Sequence, residues 1–303
     1  MKLIINNLVR YGQELDKRVF LIVCCFISLF IYMNYSFGIS QAIHHFNEIG
    51  QYFTWVGIFC VAFGFPYGLT LYRNGEIKKV NRNFIILLLI APALFAWKMS
   101  FDINLPVSSD KLQNVYWNQV LYWPIKMVMM IFSLFLIWRL FDRDTEFYGI
   151  KVRGLKWKPY GMMLLFMVPL IVIASTQPDF LKMYPKLKNM DFMSAHGHAG
   201  WYRILYELAY GTDFISIELF FRGFLVLAFA KWVGKDAILP MACFYCTIHF
   251  GKPLGECISS FFGGIILGIV SYHTRSVLGG LMVHLGIAWM MELGGILGNT
   301  YFT

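Results

Sequence analysis

From Val19 onward the chain alternates long apolar runs with short polar, charged segments. Runs close to the ~20 residues a helix needs to cross a bilayer fall at about 19–37, 52–72, 84–100, 118–138 and 160–176. Four more follow at about 206–230, 237–250, 257–273 and 277–298. The pattern predicts an all-α, polytopic transmembrane bundle of eight or nine spans. The 237–250 run is short, so it is expected to be tilted, buried by its neighbours or longer than this window. Tyr52, Trp55, Tyr116, Trp117, Tyr122, Trp123, Trp157, Tyr160, Trp201 and Trp232 stand near span ends, as an interfacial aromatic belt requires.

Loop charge orients the spans. Lys2, Arg10, Lys17 and Arg18 precede the first; Arg73, Lys78, Lys79 and Arg82 follow the second. Arg139, Arg143, Lys151, Arg153, Lys156 and Lys158 follow the fourth. The segment from Ser36 to Gln51 has no Lys or Arg, and the loop near 101–117 has only Lys111. This alternation predicts a cytoplasmic N-terminus in the cell membrane. The loop from 177 to 203, with Lys182, Lys186, Lys188 and Arg203, runs against it. The net charge of +9 sits between apolar runs and reads as topology, so no nucleic-acid partner is expected. At 58% hydrophobic and 14% charged, the chain is far less charged than the roughly one quarter usual in soluble domains. The first apolar run lacks a following small-residue cleavage site and is expected to be a retained helix. All six cysteines lie in or beside apolar runs and are expected as free, buried thiols.

The loop holding Pro178 and Pro185 divides the chain in two: N-terminal accessory helices over 1–200 and a C-terminal bundle over 201–303. Before it, Lys126 is the main ionisable residue inside a span. After it, Glu207, Asp213, Glu218, Arg222, His249, Glu256, His284 and Glu292 all lie in or at the ends of spans. Intramembrane ionisable groups face a bundle interior or cavity and mark functional sites by default.

In "SIELFFRGFLVLAF", Glu218 and Arg222 are four apart, so on a helix they share a face and can pair. Pairing explains how the charges are tolerated, but two leucines would avoid the cost altogether, so something beyond a purely structural ion pair is expected to select them. In "FYCTIHFGKPLGE", His249 ends a short apolar run, Gly251 and Pro253 break the helix, and Glu256 follows. A histidine serves as acid, base, ligand or oxyanion donor, although one at a helix end is commonly just bonded to a neighbour. In "GGLMVHLGIAWMMELGG", His284 lies inside a span and Glu292 follows about 80° around the helix. Gly264 with Gly268, and Gly294 with Gly298, have the four-residue spacing that lets spans approach closely. Cys243, Cys246 and His249 form C-x2-C-x2-H, weak evidence for zinc without a second ligand cluster. His44, His196 and His198 lie in loops and read as solvent-exposed.

At these residues the sequence resembles the CAAX protease and bacteriocin-processing (abortive-infection) family of intramembrane proteases, whose prototype is the type II CAAX prenyl endopeptidase. That family carries E-E-x-x-x-R, usually continuing R-G-F, then F-x-x-x-H, then H-x-x-x-N or H-x-x-x-D, on successive spans. "IELFFRGF" matches at Glu218, Arg222, Gly223 and Phe224; "YCTIH" matches with Tyr245 for Phe; "HLGIA" matches at His284. The likeness covers about 205–298. Two departures stand out: Ile217 replaces the first glutamate, to which the family assigns water activation, and Ala288 replaces the Asn or Asp.

The resemblance implies hydrolysis of a peptide bond in a membrane-associated peptide or protein, at or within the bilayer. Glu218, Arg222, His249 and His284 form the expected site, with Glu256 and Glu292 in support. Hydrolysis needs a base to activate water and donors for the oxyanion; Glu218, Glu256 or Glu292 is the candidate base, the histidines the orienting donors. No cofactor is expected: two histidines and a carboxylate could hold zinc, but H-E-x-x-H is absent. The rivals are a catalytically silent scaffold, such as an immunity or partner-binding protein on the same fold, and a transporter using Glu207 and Glu218, about 20° apart on a helix, as a proton path.

Overall fold

The computed structural model describes residues 2–77, 80–143, 145–151, 156–187 and 199–301. Lys78, Lys79, Arg153, Lys188, His196 and His198 lie outside the described residues, as does the stretch 188–198 of the loop proposed to divide the chain. The described residues form helices and no strand. The helices are α1 (Lys2–Glu14), α2 (Lys17–Phe37), α3 (Ile39–Ile43), α4 (Glu48–Arg73), α5 (Arg82–Ser100), α6 (Lys111–Phe141), α7 (Lys158–Ala174) and α8 (Pro178–Met183). There follow α9 (Ala199–Glu218), a π-helical segment (Leu219–Ala228), α10 (Ala230–Val233), α11 (Ile238–Thr247), α12 (Leu254–Thr274) and α13 (Leu278–Tyr301).

Six of these, α2, α4, α5, α6, α12 and α13, are long and apolar enough to cross a membrane. The other apolar runs take different forms. The α7 helix has 17 residues. The 206–230 run changes from α to π winding after Glu218. The 237–250 run folds as ten-residue α11, whose residues are all buried; at 1.5 Å per residue it rises about 15 Å, half a hydrocarbon core. Many outer side chains are apolar, among them Leu165, Phe166, Leu170 and Ile173 on α7, as lipid contact requires.

Chain contacts form two compact units that interleave along the sequence. The first holds Met1–Phe101, Ile137–Leu155 and Leu219–Val277. Around its π segment, Phe220, Phe221, Phe224 and Phe229 pack with Phe63, Tyr67, Phe84, Phe95 and Phe244 in an aromatic core. One end of the unit is basic. There Lys235 Nζ meets Glu14 at 2.8 Å, Arg73 meets Asp16 at 3.1 Å, and Lys231 pairs with Asp142. Ser276 Oγ donates to the Lys151 carbonyl at 2.9 Å. The N-terminal, post-α4 and post-α6 segments, alike in charge, therefore share an end. At the other end Tyr35 Oη donates to the Lys252 carbonyl at 2.6 Å.

The second unit holds Asp102–Leu136, Lys156–Glu218 and Leu278–Thr303. Its α13 carries glycines wherever neighbours come close. A Cβ on Gly286 would lie 2.7 Å from Leu164, and one on Gly295 would lie 2.5 Å from the Tyr184 backbone. In the first unit Gly264 and Gly268 do the same for α12: Cβ atoms there would stand 3.2 Å from Tyr245 and 2.8 Å from Met241. The four-residue glycine spacing is a packing device, as expected.

Two expectations need correction. Trp55, Tyr116 and Tyr160 are buried at 3–4% exposure, so they are packing residues, whereas Trp157 and Trp201 are exposed. Trp55 stacks on Phe59, and Tyr116 Oη donates to the Tyr202 carbonyl; each inward ring finds a partner that a headgroup would otherwise supply. The six cysteines are free thiols, but only Cys243, Cys246 and Cys257 are buried, and Cys25 is exposed on α2, an apolar outer face where a thiol needs no polar partner.

Candidate active site

Glu218, His284 and Glu292 belong to the second unit; Arg222, His249 and Glu256 belong to the first. In the second unit, α9 and α13 approach at Gly211, where a Cβ would stand 3.2 Å from both Leu285 and Trp289. That approach lets Glu218, fully buried at the end of α9, reach His284. His284 Nδ1 lies 2.9 Å from Glu218 Oε1, and Phe214 packs edge-on against the imidazole at 4.7 Å. An ionised carboxylate only accepts, and toward one Nδ1 is the donor. An imidazole oriented in this way by an acid group can serve as a base.

Further along the same two helices is a second acidic contact. Glu292 Oε2 accepts from the Lys186 backbone N–H at 2.9 Å, and the Glu207 carboxyl lies near enough for the two acidic groups to act on each other. Trp289 Nε1 donates to the Glu207 carbonyl at 3.3 Å. Glu292 thus ties α13 to the segment after α8, and Trp289 ties it to α9.

In the first unit, Arg222 is fully buried on the π segment. Its guanidinium carbon lies 4.2 Å from the centre of the Tyr245 ring, within cation–π range. Tyr245 also packs edge-on against His249 at 4.7 Å, and its carbonyl oxygen lies 2.9 Å from His249 Nδ1. That carbonyl only accepts, so His249 too carries hydrogen on Nδ1 and keeps Nε2 as its second nitrogen. The turn after α11 holds this ring, and Gly251, at φ +86°, supplies the left-handed step in it. Glu256 forms an ion pair with Lys252 at 2.8 Å. Gly223, next to Arg222, has a structural cause: a Cβ there would stand 2.6 Å from the Tyr148 carbonyl oxygen.

Tyr245 is the residue that pattern reading undervalued. Its signal was present, because it precedes His249 by four residues and so shares its helix face. The Glu207–Glu292 contact carried no such signal, since it joins helices distant in sequence. Cys246 and Cys257 lie with sulfurs 3.9 Å apart. Among the described residues no three His, Cys, Asp or Glu side chains gather as a metal site needs.

No curated protein and no solved structure gives a match to the chain. Residues 200–290 match the family model described as "Type II CAAX prenyl endopeptidase Rce1-like". The three charged motifs therefore lie inside the stretch that matches this family model, the family their resemblance pointed to, in a chain with six helices long and apolar enough to cross a membrane.

Proposed function

We propose that this protein is an intramembrane endopeptidase of the CAAX-protease kind, acting on a peptide bond of a membrane-associated substrate. The single observation that carries the reading is the buried 2.9 Å contact between Glu218 and His284, inside the stretch that matches the family model. With Ile217 unable to activate water, His284 takes that role: Nε2 accepts a proton from water as its oxygen attacks the scissile carbonyl carbon. Glu218 holds the imidazolium meanwhile. The proton then passes to the leaving nitrogen as the C–N bond breaks. Arg222 and His249 are assigned to the developing oxyanion, as cation and donor. Glu256 and Glu292 support the site by fixing Lys252 and the segment at Lys186. The helices up to about residue 200 are accessory, and the chain lies in the cell membrane with its N-terminus cytoplasmic, because the basic segments gather at one end of the first unit.

Glu218→Gln, His249→Ala and His284→Ala, made separately, test this against cleavage of candidate membrane peptides in proteoliposomes. Each is expected to lose cleavage; parental cleavage in all three overturns the assignment.

One observation favours a catalytically silent scaffold. Ile217, at 9% exposure, and Ala288, at 5%, place apolar side chains where the family has its first glutamate and its Asn or Asp. On that reading the three variants fold and keep whatever partner binding the parent has, and the parent itself cleaves nothing.

A further inference from the structure

The basic end of the first unit holds a cavity of about 210 Å3, lined by Arg10, Tyr11, Glu14, Lys235, Tyr272 and His273. Its wall is built by α1, whose 13 residues rise about 20 Å, too short to span a bilayer. Ile4 and Tyr11 of α1 are buried, whereas Ile5, Val9 and Arg10 are exposed. That division, at the end of a bundle, is how a helix lies in the headgroup layer. Glu14 accepts from Arg10 Nε and Lys235 Nζ, each at 2.8 Å. It holds the two cations on either side of itself and is pulled down to about 2 by them, so it stays ionised at any physiological pH. Just outside the lining, Arg275 lies over Tyr272 at 5.2 Å and Asp236 acts on Tyr11. Within the lining, two cations against one carboxylate leave surplus positive charge.

We propose that this cavity binds the phosphate of an anionic ligand between Arg10 and Lys235, with Glu14 as the internal counter-ion that spaces them. The guanidinium fork suits phosphate oxygens, and the lysine adds a point charge. The phosphate comes from a phospholipid headgroup or from free phosphate, and the site is independent of the proteolytic reading. It would fix α1 and the end of α12 to an anionic leaflet.

The test uses the full chain in a zwitterionic detergent, titrated with phosphatidylglycerol or phosphatidylcholine of equal acyl length and followed by native mass spectrometry. Phosphatidylglycerol is expected to bind at least about fivefold tighter. Arg10→Gln and Lys235→Gln should each weaken it about fivefold, the effect of removing one charge near an anionic surface. Glu14→Gln should tighten it. Displacement of the lipid by inorganic phosphate marks free phosphate as a ligand too; resistance to it marks the headgroup as the source. Equal affinity for the two lipids, or parental affinity in both cation variants, overturns the proposal. Loss of binding in Glu14→Gln overturns it as well, since the carboxylate would then be holding the ligand. Both cations lie at the surface, so unchanged melting temperatures are expected to confirm folding of the variants.

Discussion

His284 and His249 each present Nδ1 to an oxygen at 2.9 Å, but the oxygens differ in kind. His284 faces a buried carboxylate from another helix, whereas His249 faces the carbonyl of Tyr245, one turn earlier in its own chain. A carboxylate carries a full charge and stabilises an imidazolium; a carbonyl fixes the tautomer and offers only a dipole. The difference separates the two roles in the proposed mechanism: the first ring takes the proton and the second acts as an oriented donor. It also explains the differing surroundings. Beside His249 the Tyr245 ring carries the Arg222 guanidinium over its face, 4.2 Å from the ring centre.

The sharpest way to break this comparison is Glu218→Gln. The amide oxygen can still accept from Nδ1, so the ring keeps its place while the charge is lost. Cleavage in proteoliposomes is expected to fall by about 10²–10⁴-fold, with little change in melting temperature. Tyr245→Phe leaves the carbonyl partner of His249 in place and should fall by less than tenfold. Equal losses in the two variants would erase the distinction between the rings.

The Arg222 platform gives the next largest effect, and it is read in stability. Arg222→Ala removes a fully buried side chain and is expected to cost about 3 kcal/mol or more, as large-to-small core changes do. Tyr245→Leu, which leaves the guanidinium without its ring, should cost about 2 kcal/mol. Thermal unfolding in detergent measures both. A neutral Tyr245→Leu would show that the ring does not hold the cation. Gly223→Ala comes after these. Its new methyl would press on the Tyr148 carbonyl oxygen, which sits in backbone and cannot swing aside, so about 1–3 kcal/mol is expected.

What could be read in the sequence follows from which forces are local. The long spans α2, α4, α5, α6, α12 and α13 were legible because about twenty apolar residues in a row have one stable form in lipid. Glu218, Arg222, His249 and His284 were legible because charge inside such runs is costly and needs a reason. The short α11 was visible only as an ambiguity. Nothing in its composition says that neighbouring helices will bury all ten residues. The inward rings of Trp55, Tyr116 and Tyr160 were misread because position near a span end does not reveal which way a side chain points. The π winding after Glu218 left no local trace that distinguishes it from α. The contact of Glu218 with His284, at 2.9 Å, joins residues 66 apart in sequence, so no local spacing could announce it.

The smallest effect is expected at Glu256, and it sharpens the comparison by marking its edge. Glu256 was a candidate base because it follows His249 across a helix break. Its carboxylate instead pairs with Lys252 at 2.8 Å, where both side chains retain contact with the outside. Partly exposed pairs contribute about 0.2–1 kcal/mol. Glu256→Gln should therefore lower stability by under about 1 kcal/mol and leave kcat/KM within about twofold, far from the loss expected at Glu218. A drop as large as that of Glu218→Gln would make Glu256 the water-activating group. The carboxylate of the reaction would then belong with His249, and the roles of the two histidines would be exchanged.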